Sequence, residues 1–205
     1  MALSFPQTPD PRHLSKIFDF LIELDRLKAV LRKARPVGLE RYENTAEHSW
    51  HVAMVALVLV PYCKFPVDLE RVLEILLVHD IPEIDAGDQF AFTRDPVATA
   101  VRETAAAQRL FGLLPPEEGE RLLARWREYE ARETPEALLA YAADRLMPVL
   151  HNLRGGQRSW RENQVSHDRV KEIVQDIGLA CPDVWAAIEP MIDEVFAQGA
   201  VLARE

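Results

Sequence analysis

Cysteine is scarce. The 205-residue chain has two, Cys63 and Cys181, with no CxxC or other metal-ligand spacing, which excludes a disulfide framework and a thiolate-held metal. Both read as reduced thiols. Long apolar runs are also missing. The longest, Val52 to Tyr62, is too short to cross a bilayer and contains Pro61, so it reads as a buried core helix. Met1 to Pro11 has no basic region followed by an apolar stretch, hence no visible secretory signal. A soluble cytoplasmic chain is expected, with no membrane partner. No long Lys/Arg run accompanies the net charge of -9, which argues against a polymeric nucleic acid as partner. A small phosphorylated ligand needs only a local group of cations. Strict alternation over strand length is absent, and so is any repeat of fixed period.

What is present is helical. With 48% hydrophobic and 28% charged residues and no sharp shift in composition, the chain reads as one all-α domain over residues 1–205. Its core is expected over about 44–150, with C-terminal helices 163–204 packed on it. Leu14, Ile17, Phe18, Leu21, Leu24, Leu27 and Leu31 lie at helical spacing and predict a first amphipathic helix ending near Pro36 and Gly38. Asn44, with Glu47 three residues on, forms a capping-box pattern that opens a second helix and puts His48 in its first turn. A third helix runs from Asp68 to the pair His79-Asp80, where Pro82 stops it. Glu83 to Asp88 is expected to be a bend closed by Gly87. Asp95-Pro96 and Thr134-Pro135 each read as a cap with proline at the first helical position. The first opens a helix to about Leu113, the second a helix through Asp144 to Gly155. Pro115 and Pro116 start another through Trp126, and two more span about Asn163 to Ile177 and Pro182 to Arg204.

Within this frame His48, His79, Asp80 and Asp144 form a nitrogen and oxygen donor set suited to a borderline divalent ion such as Mn, Fe, Co, Ni or Zn, with Mg fitting less well. Adjacent helical side chains diverge by about 100°, so His79 and Asp80 share an ion only if it lies beside the helix end. Asp144 is the most telling of the four. Tyr141, Ala142, Ala143, Leu146 and Met147 flank it, and a buried carboxylate is costly without a cation or several donors. An ion pair with Arg145 is the bland alternative for Asp144, as a hydrogen-bonded helix end is for His79.

The stretches Glu47-His48-Ser49-Trp50, His79-Asp80-Ile81-Pro82-Glu83-Ile84-Asp85-Ala86-Gly87-Asp88 and Ala143-Asp144-Arg145-Leu146 resemble the HD superfamily of metal-dependent phosphohydrolases, in its 5'-deoxynucleotidase branch. The similarity runs from the first helix to the last. It implies that His48, His79, Asp80 and Asp144 hold the metal, that Glu83 stands beside the attacking water, and that Asp88 contacts substrate or supports the site. It also implies a phosphate-binding arginine before His48, for which Arg32 and Arg41 are the choices, a small phosphorylated substrate of nucleotide type, and a homodimer. Two departures stand out: no tryptophan follows an arginine before His48, and Pro82 occupies a position often small in the family.

Other readings are a hydrolase of another nucleotide, a non-catalytic metal-binding scaffold, and a two-iron oxygenase. The oxygenase would need further ligands, for which His51 is the nearby spare; packing is the expected role of His51. His151, two turns beyond Asp144, is given no role. The tryptophans Trp50, Trp126, Trp160 and Trp185 are read mostly as packing.

Overall fold

The computed structural model describes residues 10–92 and 95–199. Local capping chemistry sets most of its helix starts. Asn44 accepts from the Glu47 N–H while the Glu47 carboxylate accepts from the Asn44 N–H, a complete capping box that opens α2, Thr45–Leu59. Asp68 caps α3, Leu69–Val78. Asp95 followed by Pro96 opens α5, Pro96–Phe111. Thr134 followed by Pro135 opens α7, Pro135–Arg154. A proline costs nothing at a first helical position, where its missing N–H has no partner to lose; Pro116 starts α6, Pro116–Ala131, in the same way. Among the described residues there is no strand, and none of the helices is long and apolar enough to cross a membrane.

Three expectations about the elements are corrected. The first helix, expected to run past Leu31, is α1, Leu14–Glu23; it tightens into a 3-10 turn over Leu24–Ala29. From Val30 the chain is extended, because its backbone pairs with the segment ahead of α2: Arg32 N–H donates to Glu43 O, Glu43 N–H to Ala34 O and Thr45 N–H to Val30 O. The acidic bend after Pro82 is a short helix, α4, Glu83–Ala86, closed by Gly87 at φ 72° and ψ 153°. The stretch expected as one helix over Asn163 to Ile177 is broken instead. After α8, Arg158–Glu162, Gln164 takes a left-handed turn at φ 54°; Ser166 then caps α9, His167–Val174, and α10, Ile177–Ala180, follows. Finally α11 covers Pro182–Ala197, and the part of its expected span beyond residue 199 lies outside the described residues.

Helix α7 is the hub, packed against α2, α3, α6 and α10. Its Ala137, Ala140, Ala142 and Ala143 are fully buried; such small side chains let neighbouring backbones approach closely, and close approach is what brings side chains of three helices to one point. Two apolar clusters flank that point. One joins Val52, Ala56, Ile75, Leu76 and Leu139 to Trp160, Ile177 and Ile192. The other joins Phe20, Leu27, Ile81, Ile84, Leu110 and Trp126. The Val52 to Tyr62 run departs from the expectation of full burial. Val52, Val55, Ala56 and Leu59 are buried, but Met54, Leu57 and Val58 face outward because α2 lies at the surface with one side on α7.

Candidate metal and phosphate site

His48 stands in the first turn of α2, wholly buried. Its Nε2 lies 2.9 Å from Asp144 Oδ1 on α7 and its Nδ1 3.2 Å from Glu43 Oε2. His79 is the C-cap of α3. Its Nδ1 lies 2.7 Å from Leu76 O; that contact requires a proton on Nδ1, so the lone pair is on Nε2. This Nε2 is buried with no hydrogen-bond partner, 3.2 Å from Asp80 Oδ2 and 3.9 Å from Asp144 Oδ1. His48 Nε2 is 3.9 Å from Asp80 Oδ2.

His48, His79 and Asp80 offer three donors to one cation, and Asp144 Oδ1 lies 2.9 Å and 3.9 Å from the two histidine nitrogens. Around an ion about 2.1 Å from each ligand atom, neighbouring donors stand about 3.0–3.4 Å apart, depending on coordination number. The separations of 2.9, 3.2 and 3.9 Å bracket that range. The partnerless Nε2 of His79 is the clearest sign: a buried lone pair without a donor is costly, and a cation supplies its missing partner. His48, His79 and Asp80 each offer a donor within 4.8 Å of the others. The other Asp144 oxygen, Oδ2, accepts from Tyr129 OH at 2.7 Å and lies 3.3 Å from Arg145. The Arg145 ion pair is therefore present, but it takes the far oxygen and leaves Oδ1 turned to the histidines.

Arg32, carried on the extended segment before α2, is the cation on the opposite side. Its Nη1 lies 2.6 Å from Asp80 Oδ2, 3.8 Å from Asp88 and 3.9 Å from Glu83, while Nη2 is 3.8 Å from Asp144 and Nε 3.7 Å from Glu43. Burial opposes its charge, yet the Asp80, Glu83, Asp88 and Asp144 carboxylates hold its pKa above the ordinary arginine value. The carboxylates divide by environment. Burial opposes ionisation of Asp80 and Asp144, but histidine and arginine neighbours pull both below the usual range, with His79 and Arg32 acting on Asp80 and Arg145 and His48 on Asp144. Glu83 goes the other way. Burial and the nearby Asp80 charge push its carboxyl well above the usual range, against Arg32 and the Thr45 hydroxyl that donates to Oε2 at 2.8 Å. Burial raises Asp88 too, with Arg32 opposing.

All the residues expected at the site converge except Arg41. It is more than half exposed, donates to both Glu47 oxygens at 2.5 and 2.7 Å, and stays on the outer surface. Its Glu47 partner is the capping glutamate of α2, so Arg41 braces the helix start. Sequence reasoning missed Tyr129, Thr45 and Glu43. Tyr129 lies on the apolar face of α6, where nothing local separates a hydrogen-bonded tyrosine from a packing one. Beside Arg32, Asp80, Glu83 and Asp88 the pocket continues past Phe90, Phe92 and Trp160. The rings of Phe90 and Phe92 stand 5.0 Å apart, an apolar wall next to a polar end. Trp160 thus packs and lines the pocket at once, while Trp50 is exposed and Trp126 buried in the core.

Comparison with known proteins agrees with this geometry. The profile of the HD domain family matches residues 24–185. A crystal structure of a predicted metal-dependent phosphohydrolase from Magnetospirillum magnetotacticum superposes with a TM-score of 0.86 at 39% identity, covering 93% of this chain and 99% of that one. Two curated relatives are more distant. The 5'-deoxynucleotidase HDDC2 of Danio rerio is 27% identical over 140 residues, 64% of this chain and 68% of that protein. The 5'-deoxynucleotidase hdd1 of Schizosaccharomyces pombe is 25% identical over 189 residues, 84% and 93%. With a profile that spans most of its length and an all-α fold that brings the motif's donors together, this chain belongs to the HD domain family.

Proposed function

We propose that this HD-domain protein is a metal-dependent phosphohydrolase that removes phosphate from a deoxynucleoside 5'-monophosphate or a similar small phosphoester. The observation that carries the reading is the gathering of His48, His79 and Asp80 beside Asp144 Oδ1, with His79 Nε2 left without a partner. The nucleotide part rests on the two curated relatives, both 5'-deoxynucleotidases, and on the Phe90–Phe92 wall beside the polar end.

When bound, a divalent cation supplies Lewis acidity that activates water near neutral pH. The protein's own groups do the rest. Arg32, already poised over Asp80, turns part of its fork to the phosphoryl oxygens, where a planar guanidinium makes paired hydrogen bonds. Glu83 is the proton acceptor: Thr45 fixes Oε2, and Oε1 faces the pocket on the Arg32 side. Its raised pKa brings a carboxyl closer to working pH, where general base catalysis is most effective. Asp88, 3.8 Å from Arg32, holds the guanidinium in register. Ionisation of Asp80 and Asp144 across the working range keeps the cation ligands anionic.

A homodimer belongs to the same proposal, supported by the exposed Trp50, Met54 and Val58 along one side of α2; sedimentation of the purified protein tests it. The activity is tested by phosphate release from a panel of deoxy- and ribonucleoside 5'-monophosphates after loading with Mn, Co or Mg. Expected is release that requires metal and prefers deoxynucleotides. Tight metal binding with no phosphate release from any of them overturns the enzyme reading in favour of a scaffold.

A further inference from the structure

On the far side of His48 a second group of donors comes together. Glu43, His51 and His151 each offer one ligand atom within 4.8 Å of the other two. They come from three elements: the extended residue before α2, the second turn of α2, and the last turn of α7. His51 and His151 face each other, with ring centroids 5.8 Å apart. The Nδ1 of His151 is buried without a hydrogen-bond partner, in a side chain from a residue only 5% exposed. Glu43, 1% exposed, sets its Oε2 3.2 Å from His48 Nδ1, between that ring and the two other histidines. A buried imidazole nitrogen left without a partner is costly in a protein interior.

We infer that Glu43, His51 and His151 form a second divalent-cation site, distinct from the His48, His79, Asp80 and Asp144 set. Two imidazoles and one carboxylate are the ligand chemistry of zinc and its neighbours, three protein donors leaving a fourth position open to water. Donors around such an ion stand about 3.4 Å apart, and rotation of His51, the part-exposed member, closes the remaining distance and gives the ion its entry path. The site is joined to the first one through a single side chain, since the Glu43 carboxylate flanks the His48 ring whose Nε2 faces Asp144. None of this depends on the phosphohydrolase reading.

The test is metal stoichiometry of the full chain. Protein stripped with chelator is titrated with zinc and bound ions are counted by elemental analysis after desalting, with circular dichroism confirming the helical fold of each variant. The expected result is two zinc ions per chain, falling to one in His51→Gln and in His151→Gln, and also to one in Asp144→Asn, which empties the other site. Two different variants guard against one that fails to fold. If wild type binds a single zinc that Asp144→Asn abolishes and both histidine variants retain, the second site does not exist. If a single zinc is lost in His51→Gln and His151→Gln but kept in Asp144→Asn, this proposal stands and it is the first site that fails. Binding of two ions by both histidine variants overturns it as well.

Discussion

Arg32→Met is the sharpest perturbation of the site, because it removes the positive charge and keeps much of the volume. In the metal-free protein the Arg32 guanidinium is the counter-ion for five carboxylates: 2.6 Å from Asp80 and 3.7 to 3.9 Å from Glu43, Asp88, Asp144 and Glu83. At 3.8 Å a single pair is worth about 4 kcal/mol at an effective dielectric constant of about 20. These gross attractions do not add, since burying the guanidinium itself costs several kcal/mol. Removing one partner of a buried pair leaves an uncompensated charge and typically costs about 3–5 kcal/mol. For a chain of this length each kcal/mol lowers Tm by about 2–4 °C, so metal-free Arg32→Met should melt about 6–20 °C below wild type. A cation bound among His48, His79, Asp80 and Asp144 relieves the same repulsion. Divalent metal should therefore raise the Tm of Arg32→Met more than that of wild type, and metal affinity should rise while kcat/KM for the phosphoester falls. Calorimetric melts with and without metal, paired with isothermal titration, separate the two effects. A metal-free variant within about 1 kcal/mol of wild type, or one with weakened metal binding, would refute the assignment of Arg32 as counter-ion.

Glu83→Gln tests the raised carboxyl in two ways. Its folded-state pKa lies above the unfolded one, so its contribution to the metal-free fold is present below about pH 4.3 and is lost as pH rises through the raised value; metal-free Glu83→Gln should gain stability relative to wild type between about pH 5 and pH 8. The loaded variant should lose about 10²–10⁴-fold in turnover as a proton acceptor disappears; melts that shift equally at every pH would contradict the first part. Gly87→Ala places a side chain at φ 72° and ψ 153°, a region nearly confined to glycine, although the added Cβ meets nothing within 4 Å. The cost should be about 1–3 kcal/mol of backbone strain, read by urea denaturation, with substrate KM raised through Asp88 next door. Asn44→Ala breaks the capping box and should cost about 1 kcal/mol; because His48 lies in that first turn, isothermal titration should show weaker metal binding too, and an unchanged affinity would mean that Asp144 and Glu43 alone hold the imidazole.

Much of the molecule was legible in the chain itself. The caps at Asn44, Asp68, Asp95 and Thr134 and the prolines at helix starts act over three or four residues, so their meaning survives without tertiary context. Asp144 stood out for a different reason: a carboxylate inside an apolar run has few stable environments, and a cation is one of them; His48, His79 and Asp80 were singled out with it by the wider motif and its resemblance to the HD pattern. Pairing between separate segments was beyond reach. The apolar spacing that predicted helix through Leu31 could not register that residues 30–34 find backbone partners at 43–45, yet this pairing aims Arg32 into the site. Arg41, equal to Arg32 as a phosphate partner on sequence grounds, was decided by where its backbone emerges, beside Glu47 on the outside.

The same division explains His51 and His151. Spacing along α2 set His51 one turn after His48, and spacing along α7 set His151 two turns beyond Asp144, but a sequence orders residues along a helix and says nothing of which neighbouring helix each face meets. Only the packing of α2 on α7 over buried alanines brings the two rings together with Glu43, and brings His48 within 2.9 Å of a carboxylate 96 positions away. Helix identity and ligand chemistry are local and belong to the sequence. Which donors meet depends on long-range burial, and that was decided by the tertiary structure.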